Sequence, residues 1–106
     1  MIQSAAGKPV IVVADDDAAT RYIVEQTLTH AGFSVIEAAN GNEALQQCRD
    51  NAVDLLLLDV EMPELDGYET CRSLRKHSGD VHTPVVMVTS HDDRESIDLA
   101  YQAGAT

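Results

Sequence analysis

Positive charge is what this chain has least of. Its 106 residues carry 7 Lys and Arg against 18 Asp and Glu, for a net charge of -11. A polyanionic nucleic acid recruits basic side chains, so direct binding of DNA or RNA by this chain is excluded as its expected role. Long apolar runs are missing too. No stretch approaches the ~20 residues a membrane span needs, and the opening "MIQSAAGKPV" has nothing resembling a signal peptide. The 2 cysteines, Cys48 and Cys71, are far apart and form no CxxC pair. Two reduced thiols and a cytoplasmic location are therefore expected, not a disulfide framework or a zinc knuckle. Aromatics are few, at 4%, and low-complexity tracts and internal repeats are absent.

What the chain does have is 44% hydrophobic content, arranged in short β-branched runs that alternate with longer segments of helical period. The runs are "PVIVVA" (9–14), "SVIEA" (34–38), "VDLLLLD" (53–59) and "TPVVMVT" (83–89). Continuously apolar cores such as "VIVV" and "LLLL" fit parallel strands covered on both faces. Helix punctuation agrees. Asp17 is placed to cap a first helix burying Ala19, Ile23, Leu28 and Ala31 and stopping at Gly32. Asn40 and Gly41 open a second helix with Ala44, Leu45 and Cys48 inward. "DGYE" (66–69) reads as a capping box before a third helix burying Cys71 and Leu74. A fourth helix begins near residues 90–93, buries Ile97 and Ala100, and stops at Gly104. The βαβαβαβα order implies one domain, residues 1–106, built as an open parallel α/β sheet with right-handed crossovers.

In such sheets ligands sit beyond the carboxyl ends of the strands. The first strand ends in Asp15, Asp16 and Asp17, the third in Asp59, and the fourth in Thr89 and Ser90. Crowded carboxylates repel by about 4 kcal/mol per pair at ~4 Å in an effective dielectric of ~20. A hard divalent cation relieves that repulsion. Mg2+ suits one or two carboxylates supplemented by water and phosphate oxygens, and the all-oxygen set argues against zinc. An aspartate beside such a cation can act as a nucleophile toward phosphorus, with a nearby hydroxyl bonding a phosphoryl oxygen. Singly, each of these residues could equally be a turn or cap residue, and Asp17 fits that role well.

"VVADDDAATR", "LLLLDVEMPELDGYE", "TPVVMVTS" and "AYQAGAT" together resemble the receiver domain of two-component response regulators, over essentially the whole chain. Arg21, five residues after Asp16, falls at a spacing common in that family. The resemblance implies a flavodoxin-like doubly wound sheet in the order 2-1-3-4, with the family's fifth strand and helix absent. It implies that Asp59 accepts a phosphoryl group from a sensor histidine kinase or phosphotransfer protein and switches a downstream output. Asp16, Asp59 and the backbone carbonyl of Glu61 would hold Mg2+, with Asp15 acting through a metal-bound water. Thr89 would be the switch hydroxyl, while Met62 and Pro63 would shape the loop after the acceptor. Glu61 and His91 would tune how long the phosphate lasts. Such domains promote their own phosphorylation and dephosphorylation but are not classed as enzymes.

One expected element is missing. In the family a fifth strand ends in Lys-Pro, and the resemblance implies that this lysine would pair with Asp59 and its phosphate, whereas Lys8 precedes the first strand here and Lys76 ends the third helix. The chain is accordingly expected to be truncated before that strand, leaving "PVVMV" as an edge through which it could self-associate. Two other functions are compatible with parts of the pattern. One is a receiver-like interaction module that takes no phosphate. The other is a haloacid-dehalogenase-type Mg2+ phosphohydrolase, which would want a second Asp where Glu61 stands. The run from "MPELDGYE" to "TPVVMVTS" resembles receivers joined to diguanylate cyclase or similar output domains, though a DNA-binding output or a stand-alone regulator fits as well.

Overall fold

The computed structural model describes residues 7–76, 82–88 and 94–106. Strands β1 (Val10–Ala14), β2 (Ser34–Ala38), β3 (Leu55–Asp59) and β4 (Val85–Val88) alternate with helices α1 (Ala18–His30), α2 (Gly41–Asp50), α3 (Gly67–Lys76) and α4 (Arg94–Gln102). The sheet is wholly parallel and ordered β2-β1-β3-β4, as expected. β1 is central and buried along its whole length, which is why "VIVVA" shows no polar alternation.

Three strands start later than their apolar runs, for reasons of hydrogen bonding. Pro9 has no N–H to offer the ladder, although its carbonyl still accepts the Ser34 N–H at 2.9 Å. Asp54 closes the start of β3 with its side chain, its carboxylate accepting the Val10 N–H at 2.7 Å. Pro84 likewise precedes β4 and contributes only its carbonyl, to the Leu56 N–H at 2.9 Å.

The helix caps bear out the sequence reading. Asn40 Oδ1 accepts the Glu43 N–H at 2.8 Å, and the Glu43 carboxylate accepts the Ala39 N–H at 3.0 Å. Asp66 and Glu69 form the reciprocal box, with the Glu69 N–H on Asp66 Oδ1 at 2.9 Å and the Asp66 N–H on Glu69 Oε1 at 3.4 Å. Gly32 and Gly104 follow α1 and α4 in left-handed conformations, at φ 98° and 103°. The core is built from Val12, Leu56, Leu58, Cys71, Leu74 and Val85, so α3 buries the two residues expected of it. Both cysteines are free thiols.

Two helix faces differ from expectation. On α1, Ala19, Ile23 and Ala31 are exposed and Leu28 is only half-buried; Ile23 is 64% exposed. The half-buried stripe is instead Arg21, Val24 and Leu28, rotated by about one residue. From this side of the helix the Arg21 side chain reaches to the end of β1 and to β2. On α4, Ile97 is 47% exposed, whereas Ala100 is half-buried and Ala103, just past the helix, is buried. Val86 and Val88 of β4 are also exposed. The outer edge of β4 is engaged at one end: the Thr106 N–H donates to the Val85 carbonyl at 2.8 Å, and the Val85 N–H to Thr106 Oγ1 at 3.1 Å.

Candidate metal and acceptor site

Three carboxylates meet at the carboxyl edge of the sheet. Asp59 is the last residue of β3, and Asp15 and Asp16 follow the last residue of the neighbouring β1. One carboxylate oxygen from each of Asp15, Asp16 and Asp59 lies within 4.8 Å of the other two. Asp15 and Asp59 are half-buried and Asp16 is exposed, so the group is rooted in the sheet and open on one side. Asp17, Thr20, Glu61 and Val88 complete the walls of an open depression of about 410 Å3.

The third aspartate of the run has separate work. Asp17 is the N-cap of α1, in extended backbone geometry. Its N–H donates to Asp15 Oδ1 at 2.9 Å, and its own carboxylate takes a close hydrogen bond from the Thr20 hydroxyl. That bond, more than any other influence, holds the Asp17 carboxyl below the usual carboxylate range.

Asp59 is pushed the opposite way. Burial first, and then the negative charge of Asp15, raise its pKa to about 6 from an ordinary 3.8. The Glu61 N–H, donating to Asp59 Oδ1 at 3.3 Å, works against that rise, while Asp16 and Glu61 add smaller repulsions. Hydrogen bonding within the site thus leaves the Asp59 carboxylate short of compensation. An all-oxygen donor set in this condition fits a hard cation such as Mg2+.

The loop after Asp59 is held by close backbone approach. The Gly67 N–H donates to the Val60 carbonyl at 2.9 Å. A Cβ on Gly67 would lie 2.5 Å from the Asp59 carbonyl oxygen and 2.8 Å from the Val60 Cα. Only glycine lets the start of α3 abut the acceptor strand this closely. Met62 is buried against the core and Pro63 is exposed, while Glu64 takes a left-handed φ of 67°.

Of the other expected site residues, Glu61 lines the same depression and is exposed. Thr89 and His91 lie outside the described residues. Lys8 precedes β1 and Lys76 closes α3, both at the far end of the sheet from the carboxylates. Thr20, Gly67 and Val88 were not singled out from the sequence as parts of the site, and Arg21 was noted only for its spacing. Gly67 could have been found, because a glycine just inside a helix start normally means something lies close to it.

A profile of the response regulator receiver domain matches residues 11–106. The chain belongs to the receiver domain family. Among curated relatives, the "Probable transcriptional regulator ycf27" of Pyropia yezoensis is 49% identical over 83 residues, covering 78% of this chain and 33% of its own. The chain therefore spans about one third of that relative's length. Among solved structures, the chemotaxis protein CheY4 of Vibrio cholerae matches with a TM-score of 0.88 at 32% identity, over 93% of this chain and 82% of its own. The receiver domain of the histidine kinase CKI1 from Arabidopsis thaliana, solved with Mg2+ and BeF3-, matches with a TM-score of 0.79 at 31% identity, over 92% and 76%. The four-stranded order of this receiver domain is thus the flavodoxin-like arrangement expected of its family. No described helix is long and apolar enough to cross a membrane.

Proposed function

We propose that this receiver domain accepts a phosphoryl group on Asp59 in a Mg2+-dependent reaction. The observation that carries the reading is the convergence of Asp15, Asp16 and Asp59 at adjacent strand ends of a chain matched along its length by the receiver family. A similar receiver solved with Mg2+ and BeF3- supports the same chemistry. Asp16, Asp59 and the Glu61 backbone carbonyl would hold Mg2+ directly, and Asp15 would hold one of its waters. Bound Mg2+ would supply positive charge to offset the carboxylates and the incoming phosphoryl oxygens.

The chain's own groups then do the following. With a pKa of about 6, the Asp59 carboxylate is largely ionised at pH 7 even without a cation, and one of its oxygens attacks phosphorus. The bond from phosphorus to the donor's imidazole nitrogen breaks, the imidazole keeps the electron pair, and an acyl phosphate forms on Asp59. The Glu61 N–H, already directed at Asp59 Oδ1, orients the carboxylate for that attack. Gly67 keeps the loop seated against the strand end. Thr89 would bond a phosphoryl oxygen and carry the switch outward, and Glu61 and His91 would govern access of hydrolytic water.

The donor is a sensor histidine kinase or phosphotransfer protein, and the setting is the cytoplasm. The domain acts as a stoichiometric acceptor, not as a turnover enzyme. An exposed Glu61 where a phosphohydrolase would need a second Asp acid agrees with that. The test is Mg2+-dependent labelling of the protein by acetyl phosphate, followed by intact mass. A phosphoryl increment that disappears in Asp59→Asn is expected. Labelling unchanged in that variant would overturn the assignment.

A further inference from the structure

Resting on that reading, we propose that Arg21 is a positioning residue for the acidic site. Its guanidinium clamps the peptide after β1 so that the Asp15 and Asp16 carboxylates converge on Asp59. Arg21 Nη1 donates to the Asp15 carbonyl at 2.7 Å, and Nε donates to Glu37 Oε1 at 3.0 Å. The arginine side chain is only 18% exposed, whereas Glu37 is 50% exposed. Arg21 therefore lies under the turn, with Glu37 steadying it from β2.

The clamp acts on one residue from two sides. The Asp15 N–H donates to the Ala38 carbonyl at the end of β2, at 3.1 Å. The Asp15 carbonyl is held by Arg21, whose own N–H bonds the Asp17 carbonyl at 2.9 Å in the first turn of α1. With both polar groups of Asp15 tied, little rotation is left at the residue, and the direction of the following peptide is set. That peptide carries Asp16, and the Asp15 carboxylate is separately fixed by the Asp17 N–H.

The effect is geometric, because Glu37 offsets the arginine charge and Arg21 bonds the carbonyl of Asp15, not its carboxylate. Lysine cannot reproduce it, since a point charge with one reach cannot serve a carbonyl and a carboxylate in the fixed fork geometry of guanidinium. Loss of groups that orient metal ligands typically lowers metal affinity about 10- to 100-fold.

The experiment titrates the metal-free protein with MgCl2 by calorimetry at pH 7.5, and measures urea unfolding in EDTA alongside. Arg21→Gln is expected to weaken Mg2+ binding by about 10-fold or more. Arg21→Lys should fall between it and the parent. Glu37→Ala should weaken binding measurably, whereas Glu37→Gln, which keeps an oxygen acceptor, should bind as the parent does. Labelling by acetyl phosphate should slow in Arg21→Gln at low Mg2+ and recover at saturating Mg2+, a split that loss of stability alone does not produce.

A folded Arg21→Gln or Glu37→Ala that binds Mg2+ like the parent would overturn the clamp. If Arg21→Gln does not fold, the exposed Glu37→Ala decides by the same criterion. A parent that binds no Mg2+ would overturn the proposed function and the clamp together. A parent that binds while its variants bind equally well would overturn the clamp alone.

Discussion

Asp59→Asn should make the metal-free protein more stable at neutral pH, and the gain should vanish in acid. Asp59 titrates at about 6 in the folded chain against an ordinary 3.8, because burial and Asp15 disfavour its charge. The folded state therefore binds this proton more tightly than the unfolded state does. Stability from the neutral carboxyl is fully present below about pH 4 and is lost as pH rises through about 6. Carried in full, a shift of this size is worth about 3 kcal/mol at 1.36 kcal/mol per unit. Asp59 is only half-buried, and solvent screening reduces this to roughly 1–2 kcal/mol. Asparagine removes the charge and keeps the shape. At about 4–8 °C per kcal/mol for a domain this small, Asp59→Asn should melt roughly 5–15 °C above the parent at pH 7.5 in EDTA. Thermal melts followed by circular dichroism from pH 4 to 8 would measure it, with the two curves meeting near pH 4. Saturating Mg2+ should raise the parent's melting temperature and leave the variant nearly unmoved, since a ligand stabilises only the state that binds it. An Asp59→Asn protein melting at or below the parent in EDTA at pH 7.5 would refute the reasoning, as would a difference independent of pH.

Two other perturbations test neighbouring parts of the account. Gly67→Ala places a methyl group 2.5 Å from the Asp59 carbonyl oxygen. It should cost about 1–3 kcal/mol in urea unfolding and slow labelling of Asp59 by displacing the acceptor strand end, unlike an alanine at an open surface position. The exposed Val86 and Val88 of β4, together with the outer edge beyond the Val85–Thr106 bonds, should support concentration-dependent self-association of this chain. Light scattering that shows a clean monomer at high concentration would refute it.

Much of the site could be read before folding was considered. In a parallel α/β sheet the residue after each strand lands on one edge, so runs ending in Asp15, Asp16 and Asp59 place their carboxylates together whatever the details of packing. The division of labour within the aspartate run was legible for a similar reason. Asp17 stands where a helix needs an acceptor for its free N–H groups and it occupies the N-cap position of α1, but its carboxylate accepts the Thr20 hydroxyl and makes no capping bond to a backbone N–H.

Helix rotation was less legible. The apolar positions of α1 are sparse enough to suit two adjacent faces, and the sequence pattern favours the one with Ile23. That residue is exposed, while the polar Arg21 is half-buried on the face of α1 that also carries Val24 and Leu28. A scale of hydrophobicity cannot anticipate a half-buried stripe that includes a guanidinium. Ile97 shows the same limit on α4: it is half exposed, at the rim of an open depression that it shares with Val86 and Tyr101.

By itself, then, the sequence determined the order of elements, the capping of α2 and α3, and the three aspartates at the sheet edge. Each of these follows from local spacing and strand alternation. Only the tertiary structure decided that Asp59 is held near pH 6, that Gly67 must be glycine, and that Arg21 grips the carbonyl of Asp15 while leaning on Glu37. Those facts depend on distances between segments remote in the chain, and such distances exist only once β1, β2 and β3 have paired.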